Sequence, residues 1–111
     1  MENVTSIVFG IGRSGISALK LLSHLGENSL ALNSPPVEEW VNPEIQANSI
    51  LQMSEVDFLE EAIERKVSMV LSPGIPRTHP VVQKVLASGG EVVSEIELGY
   101  RHWKSKVIAL T

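Results

Sequence analysis

Apolar positions fall along this chain in two alternating rhythms, short continuous runs and longer stretches at helical spacing. Ser6 to Phe9 is a short β-type run, and Ile16, Leu19, Leu22 and Leu25 then recur on one face of a predicted helix that Gly26 ends. Ser29 to Leu32 reads as a second strand, closed by Asn33-Ser34-Pro35-Pro36, where two prolines forbid further ladder pairing. The stretch from Val37 to Gln46 is irregular, and a third strand is expected around Ser49 to Gln52. Ser54-Glu55-Val56-Asp57 has a capping pattern, with Phe58, Leu59, Ala62 and Ile63 as the buried face of a helix reaching about Arg65. Val67 to Leu71 is a buried strand, and Ser72-Pro73-Gly74-Ile75-Pro76 is a loop whose path the prolines fix.

A helix is then expected from Thr78 to Ala87, with Pro80 in its first turn, and a strand from Glu91 to Val93. Ser94-Glu95-Ile96-Glu97 has the form of a capping box, which assigns Glu95 and Glu97 to the start of a helix reaching Trp103, and Lys106 to Leu110 is a last strand. Strands alternating with helices specify an α/β fold: a Rossmann-like open, mainly parallel sheet with helices on both faces, in one domain spanning residues 1–111. A sequence that stops at the tip of a strand reads as a domain of something longer.

The first strand runs straight into Gly10, Gly12 and Gly15, spaced G-x-G-x-x-G, before the first helix. Amides at a helix start carry the positive end of its dipole and suit a diphosphate. In such a loop Gly10 permits the tight turn, Gly12 lets a ligand approach the backbone, and Gly15 lets the helix pack against the strand. The bland alternative is that the glycines serve the turn and the packing alone. A nicotinamide site adds a carboxylate at the end of the second strand to hold the ribose hydroxyls, and that position is Asn33 here. An amide suits the edge of a nucleobase such as uracil better than a diol, although a turn asparagine bonding its own backbone is an equal reading, as it is for Ser34. The loops around Gly12, Asn33, Gly74 and Ser94 should share the carboxyl edge of the sheet, with Arg13 and Arg77 near enough to pair with phosphate oxygens.

Composition narrows the choice. A formal charge of −4 and a pI near 5.3 give no basic field for nucleic acid. Without cysteine there is neither a disulfide framework nor a thiolate site, and no apolar run approaches the roughly 18 residues of a membrane span, so a cytoplasmic protein without membrane insertion is expected. His24, His79 and His102 lack metal-ligand spacing, Glu60 and Glu61 point to different parts of a helix surface, and Trp40 and Trp103 read as packing or interface residues rather than base-stacking platforms. No catalytic constellation and no metal site can be assembled.

Three segments together carry a resemblance: GIGRSG at 10 to 15, LSPGIPRTHP at 71 to 80, and VVSEIELGYR at 92 to 101 followed by KVIALT. They resemble the amino-terminal domain of the MurD family of Mur ligases, the UDP-N-acetylmuramoyl-L-alanine:D-glutamate ligases. The SPGI segment is the most specific, since related L-alanine-adding ligases resemble the first loop but generally lack it. The resemblance implies an ATP-dependent, ADP-forming amide ligase of peptidoglycan synthesis, whose ATP-binding P-loop and magnesium ligands lie beyond this sequence. By motif position it implies that Gly10, Gly12, Arg13, Ser14 and Gly15 meet the diphosphate of the UDP substrate, that Asn33 and Ser34 meet uracil, and that Gly74 lines the pocket. The family often has aspartate in place of Asn33 and a basic residue in place of Pro35. A domain of this kind binds UDP-N-acetylmuramoyl-L-alanine and the ligase's remaining domains, holds no cofactor itself and catalyses nothing alone. The rival readings are a nicotinamide-binding module, another Mur ligase, and a Rossmann-like domain without ligand.

Overall fold

The structure, a computed structural model, describes residues 3–40, 50–63 and 65–101, so the expected strand Lys106 to Leu110, with His102 and Trp103, lies outside it. In chain order the elements are β1 (Ser6–Phe9), α1 (Arg13–His24), β2 (Ser29–Asn33), a 3-10 turn (Val37–Glu39), β3 (Leu51–Ser54), α2 (Glu55–Glu60), β4 (Ser68–Leu71), α3 (Pro80–Ala87) and β5 (Glu91–Ser94). Residues 95–101 are helical and are termed α4.

Among the described residues the strands form one five-stranded sheet ordered β3-β2-β1-β4-β5, and each neighbouring pair runs parallel. Successive residues of a strand face opposite sides, and the sequence supplies apolar side chains to both. Ile7, Phe9, Leu30, Leu32, Met69, Leu71 and Val92 point to one face, where Phe58 of α2 and Val81, Val82 and Val85 of α3 cover them. Val8, Ala31, Val70 and Val93 point to the other, covered by Ala18, Leu19 and Leu22 of α1, by Trp40, and partly by Leu98 of α4. Helices therefore lie on both faces of an all-parallel sheet, as expected. Strand order also reverses between β1 and β4: the chain leaves β1 toward β2 through α1, and returns past β1 to β4 through α2 on the opposite face. Right-handed crossovers require that change of face, and in open parallel sheets the crevice lies at such a switch point, here the carboxyl ends of β1 and β4.

Several local expectations are corrected. The third strand is Leu51–Ser54, with Leu30 opposite Leu51 and Asn33 opposite Ser54, because this register puts the apolar positions of both strands in line. The helix after it ends at Glu60, not near Arg65. Its ammonium cap comes from elsewhere: Lys84 Nζ of α3 donates to the carbonyls of Phe58 (2.7 Å), Leu59 (3.0 Å) and Glu61, satisfying the last turn and stopping it there. Of the expected buried face only Phe58 is enclosed, while Leu59 is exposed and Ile63 packs from the following loop. Leu25 leaves the α1 stripe because it is the residue after the last helical turn, where Glu27 N donates to Leu22 O (2.9 Å) and Gly26 N to Ser23 O (3.1 Å). Helix α3 begins at Pro80 rather than Thr78, since His79 occupies the capping position and its Nδ1 accepts from Val81 N at 3.2 Å.

At the start of α4, Ser94 Oγ accepts from Glu97 N at 3.0 Å, but the glutamates do not complete a capping box. Glu97 pairs instead with Arg101 one turn on (2.8 Å), and the same guanidinium reaches Glu91 at 2.7 Å. The Glu91 hydrogen bond is the chief cause holding the Arg101 pKa above its ordinary value, and it ties α4 to the start of β5. Trp40 packs as expected, with its indole Nε1 donating to Pro35 O at 2.9 Å. The irregular stretch that precedes β3 contains the 3-10 turn, and residues 41–49 lie outside the described part.

Candidate functional site

The loop from β1 to α1 is built by three glycines in three different situations. Gly10 has φ +100°, and a Cβ there would meet Ser72 Oγ at 2.5 Å, so both backbone conformation and space demand glycine. A Cβ on Gly15 would lie 2.1 Å from Gly10 O, which is the close approach of helix to loop. Gly12 differs from both: its backbone is extended (φ −95°, ψ −166°), and a Cβ there would meet nothing within 4 Å. Only at Gly12 does the missing side chain leave open space above the loop.

Gly12 is also the residue before α1, and it offers no side chain to cap the helix. The first intrahelical bond runs from Ile16 N to Gly12 O (3.0 Å), so the amides of Arg13, Ser14 and Gly15 precede it, and no acidic residue stands in the first turn. The other α-helices among the described residues begin behind a capping side chain: Ser54 for α2, His79 for α3 and Ser94 for α4. Helix α1 thus presents the uncapped positive end of its dipole at the crevice where strand order reverses. Arg13 and Ser14 are its first two residues, and their side chains lie outside the described part.

Ser72 closes the other wall. Its amide donates to Phe9 O at 3.1 Å, joining the ends of β1 and β4. Its hydroxyl lies 2.8 Å from Glu95 Oε1 and 3.1 Å from Gly10 O, and with one proton to give it serves the nearer, charged oxygen first. Glu95 is therefore a loop-to-helix tether between β4 and α4, rather than the capping residue expected. Ser72-Pro73-Gly74-Ile75 forms a turn closed by Ile75 N to Ser72 O (3.3 Å), with Gly74 at φ +97° and open space where its Cβ would be. Arg77 does not stand free at the edge: its guanidinium donates to Val92 O at 3.4 Å.

At the end of β2, Asn33 is half-buried and Ser34 is exposed. The Ser34 hydroxyl donates to Glu55 Oε2 at 2.8 Å, and Glu55 Oε1 lies 3.1 Å from His79 Nε2. The rings of His79 and Phe9 in turn meet in a T-shaped arrangement, with centroids 5.1 Å apart and planes at 75°. The ends of β1 and β2 and the starts of α2 and α3 are in this way joined along one edge.

Against this geometry, the family description "Mur ligase MurD-like, N-terminal domain" matches residues 4–94. The chain belongs to the MurD-like amino-terminal domain family of the Mur ligases. It is 41% identical over 105 residues to the UDP-N-acetylmuramoylalanine–D-glutamate ligase of Aquifex aeolicus, covering 95% of this chain and 21% of that protein. Proteins of the same name from Chlorobaculum parvum and Streptococcus pneumoniae are 33% and 34% identical over 100% and 99% of the chain, and 23% and 25% of their own lengths. The chain thus spans between a fifth and a quarter of the length of these curated relatives.

For a MurD-like domain, the glycine loop and the SPGI turn were legible from sequence, and the structure brings them together at the crevice. Glu55, Ser72 and Glu95 were not singled out as edge residues. Glu55 had a readable place beside the Ser54 cap, but its partners Ser34 and His79 stand 21 and 24 positions away by residue number. Among the described residues no group of three His, Asp or Glu could hold a metal ion, and no helix is long and apolar enough to cross a membrane.

Proposed function

We propose that this chain is the substrate-holding domain of a cytoplasmic D-glutamate-adding Mur ligase, and that it binds the UDP part of UDP-N-acetylmuramoyl-L-alanine. In this reading the amides of Arg13, Ser14 and Gly15 receive the diphosphate over the open face of Gly12, Asn33 and Ser34 meet the uracil edge, and the Gly74 turn lines the pocket. The observation that carries it is the one uncapped α-helix start among the described residues, at the point where strand order reverses, in a chain whose relatives are named as ligases of UDP-N-acetylmuramoylalanine. Backbone amides and a helix dipole are worth most to a ligand bearing two adjacent phosphates, because several charge-assisted hydrogen bonds form at once.

Ligation itself belongs to residues beyond this chain. No glycine in it is followed by lysine, so it lacks a P-loop, and the ATP and magnesium of the full ligase are assigned to its other domains. The chain by itself is expected to bind substrate and catalyse nothing. Titration calorimetry of the folded chain with UDP-N-acetylmuramoyl-L-alanine tests the assignment, with NADH as the competing ligand. Saturable heat from the UDP compound and none from NADH is expected. Silence at millimolar UDP compound, or saturable NADH binding that UDP does not displace, would overturn it.

A further inference from the structure

The geometry points to Glu55 as the residue that sets which base the edge accepts, by fixing the hydrogen-bond polarity of Ser34. This rests on the proposed binding of a uridine nucleotide and assigns a determinant for its base. A serine hydroxyl has one proton and two lone pairs, so committing the proton elsewhere leaves it an acceptor only. Here the proton is committed: Ser34 Oγ donates to Glu55 Oε2 at 2.8 Å, and an ionised carboxylate can only accept. What Ser34 then offers a ligand is a lone pair.

Glu55 is itself held. Its other oxygen lies 3.1 Å from His79 Nε2, and His79 Nδ1 is engaged as the acceptor of the Val81 amide at 3.2 Å. With Nδ1 accepting, the proton of the neutral ring sits on Nε2, where it is donated to Glu55. The two carboxylate oxygens thus serve two loops separately. Glu55 also stands in the first turn of α2, where the dipole favours a negative charge. Although serine, carboxylate and imidazole are all present, their order excludes a nucleophilic triad, because the imidazole neither touches the hydroxyl nor has a free nitrogen to take its proton.

Asn33 beside it cannot make the choice, since an amide can present either its oxygen or its NH2 to a base. An acceptor-only Ser34 favours the N3–H of uracil and opposes the unprotonated N3 of cytosine. Without Glu55 the hydroxyl regains its proton for donation and loses the preference.

The test compares UDP, CDP and inorganic pyrophosphate by calorimetry on the chain, its Glu55→Ala and Ser34→Ala variants, and the double variant, each shown to be folded by circular dichroism. The wild type should prefer UDP to CDP, and Glu55→Ala should lower that ratio about tenfold, the effect of roughly one reversed hydrogen bond. Pyrophosphate affinity should not move, and the double variant should match Ser34→Ala alone. A UDP-to-CDP ratio unchanged in folded Glu55→Ala, or losses that add in the double variant, would refute the role of Glu55 while leaving nucleotide binding in place. A wild type that binds neither nucleotide would sink both this inference and the binding role beneath it.

Discussion

Two glycines three residues apart should fail in opposite ways when replaced. In Gly15→Ala the new methyl would sit 2.1 Å from Gly10 O, a backbone atom that cannot swing aside, so α1 must move away from the sheet by about 1 Å. Overpacking of this kind costs about 1–3 kcal/mol, and at about 4–8 °C per kcal/mol for a domain near this size the melting temperature should fall by roughly 10 °C. In Gly12→Val the isopropyl group enters open space from an extended backbone, so the fold loses at most about 1 kcal/mol, the difference among residues at an uncapped helix start. The same group stands where the diphosphate would approach. Losing two charge-assisted hydrogen bonds, at about 1.5–3 kcal/mol each, should weaken UDP binding at least ~100-fold. Thermal melts with and without UDP read both effects at once, because ligand at 100 times its Kd adds about 2.7 kcal/mol to a protein that binds it. The wild type should be stabilised by UDP, Gly12→Val should melt normally and ignore it, and Gly15→Ala should melt early. Equal UDP stabilisation in wild type and Gly12→Val would refute the cradle, and an early melt of Gly12→Val would refute the reading of its open space.

Lys84→Met keeps the aliphatic stem but removes the ammonium from the carbonyls that end α2, and should cost about 1–3 kcal/mol in urea denaturation. Hydrogen exchange should localise the loss to residues 55–61. Ser54→Ala removes the hydroxyl that accepts from Asp57 N and should lower stability by about 1 kcal/mol at the other end of the same helix, measured in the same way. Gly10→Ala combines a φ of +100° with a collision at Ser72 and should destabilise by more than about 2 kcal/mol, a loss that Ser72→Gly relieves only in part because the backbone strain remains.

How far the sequence reached can be judged element by element. Ile7, Val8 and Phe9 are legible as a strand, and the alternation of such runs with helical stretches points to the parallel sheet; that both faces of this strand are covered is seen only in the structure. The helix starting after Ser54 was legible at its beginning, where the cap lies three residues from its partner, and misjudged at its end. That end is set by Lys84, and a lysine on the exposed-looking side of another helix carries no local mark of the carbonyls it will meet. Glu95 was misassigned for a related reason: its position suited a capping role, yet Ser72 takes its carboxylate once β4 and β5 lie side by side.

By itself, then, the sequence determined the alternation of strands and helices, the glycine loop after β1 and the SPGI turn, because each depends on contacts within a few residues or on the periodicity of apolar side chains. Tertiary structure alone decided the partners of Ser34, Glu55 and His79, the cap on α2, and the contrast between an open Gly12 and a crowded Gly15. Those features depend on which strand ends become neighbours in the sheet, and that order follows from packing both faces at once with right-handed crossovers rather than from any local pattern.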